Sequence, residues 1–384
     1  MDFAESEEQA LLRRSVAQVA ARYGHSYYLE KARTGGKASE LWREVGGLGY
    51  LGVGVPEEYG GGGRGISELA IVCEELAAAG CPLLLIVVSP AICATVIAGS
   101  GTDEQRRRWL PGLATGELTM AFAITEPDAG SNSHRISTIA RRDGDDWVLS
   151  GRKTYISGVD EADAVLVVAR SEDARTGTLR PALMIVPTDA PGFERTLIPV
   201  EITGPEKQFA LFLDGVRLPA DALIGDTPEA AIAALFAGLN PERITGAALA
   251  TGLGRYALAK AAAYATQRSV WGVPIGAHQG LAHPLANAAI QVELARLMTQ
   301  KAGWLYDTGA DAGEAANMAK YAAAEASLLA LDQAIQVHGG NGLATEYGLA
   351  TLWGAARLAR TAPISREMVL NFVASHTLGL PRSY

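Results

Sequence analysis

The chain has 384 residues, enough for two or three structural units and a large core. Hydrophobic residues make up 48% and charged residues 20%, an ordinary globular balance. A net charge of −9 without a dense basic tract argues against nucleic acid or an anionic membrane surface as partner.

The N-terminal MDFAESEEQALLRR has neither the order of a signal peptide nor the Arg-rich, acid-poor character of a transit peptide. Glu5 to Tyr23 predicts a helix with Ser6 as its cap and Leu11, Leu12, Val16, Val19 and Ala20 at helical spacing. Ala38 to Val45 and Ser67 to Ala79 predict two more, separated by a glycine-rich loop. From Ala77 to Thr102 there is no charge, but Pro82, Pro90 and several glycines interrupt it. No unbroken apolar span of about 20 residues survives, so two buried helices joined near Ser89-Pro90 are expected, not a membrane span. Asp103 to Leu110 is amphipathic and ends at Pro111-Gly112. The three cysteines, Cys73, Cys81 and Cys93, lack metal-ligand spacing, so no metal is expected. Their odd, low number suits a reducing cytoplasm.

Strand signals then take over. Met120 to Thr125 is apolar, Trp147-Val148-Leu149 follows, and after the turn residues Ser150-Gly151 a further strand runs Lys153 to Ser157. Ala164 to Ala169, Ala182 to Val186, Phe193 to Val200 and Phe209 to Leu213 add more, as a small barrel or sandwich needs. No strand-borne GxGxxG motif occurs, which argues against a Rossmann sheet. From Pro228 the pattern is helical again. Asn240-Pro241 reads as a helix start, Asn as cap and Pro at the first position. Ile244–Gln267, Gly280–Tyr306, Ala312–Val337 and Thr345–Ser375 are long helical runs that predict a four-helix bundle. The fold class is therefore α+β. It has an N-terminal helical domain (1–116), a middle β-barrel or sandwich domain (117–226) and a C-terminal four-helix bundle (227–384).

Between Met120 and Gly158 lies a turn-rich loop, Glu126-Pro127-Asp128-Ala129-Gly130-Ser131-Asn132. On chemistry alone it is either a surface turn or a grip for a flat, polar-edged ligand. The pair AITEPDAGSN and LSGRKTYISG resembles the flavin-binding middle domain of acyl-CoA dehydrogenases. The resemblance extends along the chain through VPEEYGG, LPGLATGE, VRLPADALIG, NPERI, YATQRSVWGVPIGAHQ and QVHGGNGLATEY.

The resemblance implies FAD as cofactor, an acyl-CoA thioester as substrate and α,β-dehydrogenation to the 2-enoyl-CoA. It implies electrons passed to an electron-transferring flavoprotein, and a homo-oligomer, expected to be a tetramer. It assigns Phe122, Ile124, Thr125, Gly130, Ser131, Tyr155, Ile156 and Ser157 to the flavin ring, with Tyr155 where the family usually has tryptophan. Either aromatic offers a face for stacking. Arg268 has two readings: a helix-end arginine complementing the dipole, or, by resemblance, a pyrophosphate clamp. Val270, Trp271, His278 and Gln279 accompany it. Gln336, Gly339 and Gly340 match a segment that reaches the adenosine half of FAD in a neighbouring subunit. Ser365 and Glu367 complete the cofactor set, and Ser131, Arg243 and Ile364 are assigned to the substrate. His338 is expected to be structural.

The chemistry needs a carboxylate to take the α-proton. Many relatives carry it in the loop before the final helix, where this chain has Pro363. A branch resembling isovaleryl-CoA dehydrogenase places it at the start of the long helix, where this chain has Glu242. Glu242 is thus the expected base, against the plain reading of a first-turn glutamate complementing the helix dipole; Glu367 and Glu346 are weaker candidates. Pro363 also has no N–H to polarise the thioester, a task that would pass to the flavin ribityl hydroxyl or to the Ile364 N–H. Rival readings are an acyl-CoA oxidase or flavin monooxygenase on the same scaffold, or a non-catalytic subunit of a hetero-oligomer.

Overall fold

The computed structural model describes residues 4–172, 177–225 and 228–381. Ser6 opens α1 (Glu7–Thr34) by a reciprocal cap with Gln9. The helix passes the expected end at Tyr23 because Gly24, at φ 66°, lets the chain kink and resume. α2 (Ser39–Gly47) and α3 (Ile66–Ala78) follow as expected. From Leu85 the uncharged stretch is one helical run that passes through Pro90, not two helices joined there. A π-helical segment, Val87–Ala94, carries Pro90 and continues into α4 (Thr95–Ser100). A π-turn absorbs a residue that has no N–H to donate. α5 (Asp103–Thr115) likewise holds Pro111 inside and ends at Gly116, at φ 74°, past the expected stop.

β1 (Met120–Ala123), β2 (Ile139–Asp143), β3 (Asp146–Ser157), β4 (Ala164–Glu172), β5 (Leu179–Pro187), β6 (Phe193–Ile198) and β7 (Gln208–Leu218) join in one seven-stranded sheet. β1 and β2 both pair parallel to β4, β1 at 164–167 and β2 at 170–171; the other pairings are antiparallel. The chain therefore leaves β4 after Ala123 and returns to it at Ile139. β2 went unread in the sequence. Ser150-Gly151 is not a turn: β3 runs through it, with a register shift against β7. A second shift between Lys153 and Ile156 sets three residues of β3 against two of β7, the count of a bulge. Strict alternation from Trp147 and Leu149 would point Tyr155 inward. The bulge exchanges faces, so Ile156 is buried and Tyr155 is 62% exposed.

α6 spans Pro228–Gln267. Asn240 and Pro241 lie inside it, so the expected helix start there is incorrect. Asn240 Oδ1 accepts from Arg243 instead of capping, and Pro241 forfeits only one helix bond. A short hairpin of β8 (Ser269–Val270) and β9 (Val273–Pro274) leads to α7 (Gln279–Asp307) and α8 (Gly313–His338). The expected run Thr345–Ser375 is broken. After α9 (Gly340–Leu343) come α10 (Trp353–Leu358) and α11 (Arg366–Phe372), separated by a non-helical 361–365 segment at Pro363. Buried alanines, among them Ala257, Ala261, Ala319, Ala323 and Ala330, bring α6 and α8 close. One core cluster joins Val16, Leu69, Ala247 and Ala319, so the N-terminal helices and the bundle share it. Arg13, Arg255 and Arg296 meet Glu74 at 3.0, 2.7 and 3.3 Å, tying α1, α3, α6 and α7 together. No described helix is long and apolar enough to cross a membrane.

Candidate active site

The excursion between β1 and β2 is held at both rims by one carboxylate. Glu126, 4% exposed, accepts from Ser137 N–H (2.5 Å) and Oγ (2.7 Å) through Oε2. Its Oε1 accepts from Thr138 N–H (2.9 Å) and Oγ1 (2.5 Å) and from Lys153 Nζ (2.9 Å). Lys153, 1% exposed, also donates to the Ile124 carbonyl at 3.0 Å. Burial alone would raise the Glu126 pKa, but the bonds from Thr138, Ser137 and Lys153 prevail and hold it at about 2. Burial pulls Lys153 down to about 8, with Glu126 opposing. A Cβ on Gly151 would lie 2.3 Å from Thr138 Oγ1, so only glycine lets Thr138 reach the carboxylate. Apart from Ile124, none of these residues was assigned a role from sequence. A lone lysine at an inward register position of an apolar strand was the available signal.

Glu126 and Ala129 exchange backbone bonds at 3.1 Å, so Pro127-Asp128 form a tight turn. Beyond it Gly130 and Ser131 are exposed. Thr154 N–H donates to Thr125 O at 3.0 Å, which sets the bulge of β3 beside the end of β1. Phe122, Ile124 and Thr125 are half-buried there. Tyr155 stands at φ 57°, a strained position for an aromatic residue that costs about 1–3 kcal/mol. Its backbone turns the ring outward, while Ile156 is 2% exposed and can offer a ligand only its backbone. Ser157 Oγ is engaged by Gln208 Nε2 at 2.9 Å. An exposed aromatic face, small residues and free hydroxyls at one sheet edge fit a flat heteroaromatic ring.

Glu242 lies in α6 and is half-buried. Burial pushes its pKa up to about 7, with Arg243 and Lys320 working against the rise. Such a carboxylate is poised for proton transfer near neutrality. Arg243 donates to Asn240 Oδ1 at 3.0 Å. One turn on, a Cβ on Gly246 would meet only Pro363 Cδ, at 4.0 Å, so the 361–365 segment borders the same space. The Ile364 carbonyl accepts from Lys320 Nζ. Ser365 Oγ caps α11 through Met368 N–H (3.3 Å), and Glu367 is exposed in its first turn.

The other predicted residues are elsewhere. Arg268 follows Gln267, about 38 Å of helix beyond Glu242 at 1.5 Å per residue. It is exposed; its backbone bonds Tyr264 O (2.9 Å) and Ile275 N–H (2.8 Å), and its side chain has no hydrogen bond or ion pair among the described residues. Trp271 (φ 53°) and Gly272 (φ 82°) form the hairpin tip, and Trp271 is 88% exposed. Its ring meets His278 edge-on at 5.7 Å, and the buried His278 Nε2 has no hydrogen-bond partner among the described residues. Gln279, Gln336, Gly339 and Gly340 are exposed, and Val270 is half-buried. Tyr264 stacks on buried His338 at 4.2 Å, so the Arg268 hairpin and the Gly339-Gly340 turn share one end of the bundle. Glu346, beside Tyr347, is at that end too and cannot stand in for Glu242 within one subunit.

Three family models match in chain order. They are acyl-CoA dehydrogenase N-terminal domain over residues 6–117, middle domain over 121–202 and C-terminal domain over 232–378. The chain is 67% identical to the acyl-CoA dehydrogenase FadE12 of Mycobacterium tuberculosis, over 100% of this chain and 99% of that protein. Its fold is similar to a glutaryl-coenzyme A dehydrogenase in complex with glutaryl-CoA, at TM-score 0.94 and 29% identity, covering 100% of this chain and 98% of the other. It is also similar to butyryl-CoA dehydrogenase from Megasphaera elsdenii, at TM-score 0.92 and 27% identity, covering 98% and 100%. With these likenesses along its whole length, the chain belongs to the acyl-CoA dehydrogenases, enzymes that use FAD to dehydrogenate acyl-CoA thioesters.

Proposed function

We propose that Glu242 is the base that takes the α-proton of the acyl-CoA thioester, giving the 2-enoyl-CoA. Its half-buried setting in α6, beside Arg243 and the Pro363 segment, is the observation that carries this reading. Bound FAD supplies the acceptor for the β-hydrogen. Phe122, Ile124, Thr125, Gly130, Ser131, Tyr155, Ile156 and Ser157 would hold its ring. Ser131, Arg243 and the Ile364 N–H would orient the thioester, since Pro363 has no N–H to offer. Arg268, Val270, Trp271, His278, Gln279, Gln336, Gly339 and Gly340 form a second, distant lip. About 38 Å of α6 separates the two, beyond the reach of one dinucleotide. The second lip therefore serves the FAD of another subunit, and the enzyme is a homo-oligomer, read as a tetramer. Ile290, Leu294, Leu297 and Trp304 form an exposed apolar stripe along α7, which supports burial against another copy. The electron acceptor is read, from the family, as an electron-transferring flavoprotein.

The decisive experiment is flavin bleaching under stopped flow with a panel of acyl-CoAs. Glu242→Gln should retain FAD and slow bleaching by about 10²–10⁴-fold, the usual contribution of a positioned base. Bleaching within a few-fold of wild type would remove Glu242 from the role. No bleaching by either protein would favour a non-catalytic subunit, and rapid reaction of reduced enzyme with oxygen would favour an oxidase.

A further inference from the structure

Lys320 is an ammonium 3% exposed in the middle of α8. A buried charge costs several kcal/mol unless it is paired. Its hydrogen bond goes not to a carboxylate but to the Ile364 carbonyl, in the segment that borders Glu242. Arg360 and Arg366, at the two ends of that segment, engage an acid of α8. Glu325 meets them at 2.5 and 3.7 Å. The charged groups facing Lys320 are Glu242 and Arg243 from α6, Glu367 from α11 and Glu325 from its own helix. Those facing Glu242 are Arg243 and Lys320, together with the Cys93 thiol of the π-helical segment. With Glu325 engaged by arginines and Glu367 exposed in water, Glu242 is the half-buried acid left to Lys320.

We propose that Lys320 is a positioning residue of this active site, fixing the Pro363 segment through the Ile364 carbonyl and standing opposite Glu242 as its counter-charge. The proposal rests on Glu242 being the base. It gives one side chain two separable duties. The carbonyl bond keeps the wall of the substrate space in place, and the charge keeps the base ionised. Burial brings Lys320 down to about 8 and Glu242 up to about 7, so between these values both are charged.

The test is the pH profile of flavin bleaching in FAD-loaded enzyme, with Lys320→Gln, Lys320→Met and Lys320→Arg beside wild type. Lys320→Gln keeps a donor for Ile364 and loses the charge. Its bleaching midpoint should rise by about one pH unit, the low end for a lost counter-charge, or about tenfold slower bleaching below the midpoint. Lys320→Met should show the same rise and also a weakened apparent affinity for acyl-CoA. Lys320→Arg keeps charge and donor and should keep the wild-type midpoint. An unmoved midpoint in the Gln variant overturns the proposal, and so does a raised midpoint in the Arg variant. Lys320→Gln and Lys320→Met remove the charge independently, and either one that folds with an unmoved midpoint overturns the counter-charge. Glu242→Gln bleaching as fast as wild type would instead overturn the base assignment, whatever the lysine variants show.

Discussion

Removing the Glu126 carboxylate should loosen the lip proposed to hold the flavin and lower stability together. Glu126→Ala strands the Lys153 ammonium, 1% exposed, and frees the Ser137 and Thr138 donors on the far rim. Breaking a buried pair from one side costs about 3–5 kcal/mol. With about 2.1 cal/mol/K of unfolding entropy per residue over 384 residues, roughly 0.8 kcal/mol/K, the melting point should fall by about 4–6 °C. Lys153→Met removes only the bonds to Ile124 O and Glu126, and leaves the carboxylate with its four donors from Ser137 and Thr138. It should therefore cost less. Calorimetry and the flavin-to-protein absorbance ratio measure both effects. If Lys153→Met destabilises as much as Glu126→Ala, the carboxylate is not the clasp and the reasoning fails. The sign with pH is also fixed. The folded Glu126 pKa, about 2, lies below the ordinary 4.5. Its stabilisation is thus complete above about 4.5 and is lost as pH falls toward 2.

Arg268→Ala should weaken FAD retention without changing the bleaching rate of the flavin that remains, checked by gel filtration and single-turnover kinetics. Full FAD occupancy in a stable monomer would contradict the shared site. Paired Ile290→Glu and Leu294→Glu substitutions, at positions 58% and 55% exposed in the isolated chain, should dissociate the oligomer in sedimentation velocity. Tyr155→Ala should reduce FAD affinity by about two- to thirteenfold, for a lost stacking contact of about 0.5–1.5 kcal/mol. Unchanged affinity would mean that the strained ring faces something else.

Periodicity placed α2, α3, α7 and α8 because each carries an uninterrupted apolar face between clear end signals. It failed where proline was taken as a helix boundary. Pro90, Pro111 and Pro241 all lie inside helices, since one missing N–H is a small loss against a well-packed face. Thr345–Ser375 failed in the opposite sense, because alanine and leucine content hid the breaks at Gly348 and Pro363. Glu242 was legible only through resemblance; as a helix-start glutamate it had no local signal, and in the structure it is not at a helix start. Tyr155 could be named but not oriented, because its direction depends on a bulge that exists only once β7 pairs with β3. Lys320 and Lys153 stayed invisible for a related reason: a buried charge is defined by partners that come from distant parts of the chain.

The seating of β1 and β2 along β4 has an evolutionary consequence. β1 ends opposite Val167 and β2 begins opposite Arg170, so only Val168 and Ala169 separate them on the partner strand. The two strands act as one interrupted strand, and residues 127–136 form a cassette set into the break. Its ends are gathered by Glu126 on one rim and Ser137-Thr138 on the other, and inside it Ala129 and Ile136 pack with Val168 of β4, so the sheet constrains it only at these points. Lengthening such a segment costs little, about 0.6 kcal/mol per doubling. The exposed positions between these anchors, Gly130, Ser131 and Asn132, can therefore be rewritten or lengthened while the same sheet goes on folding beneath them.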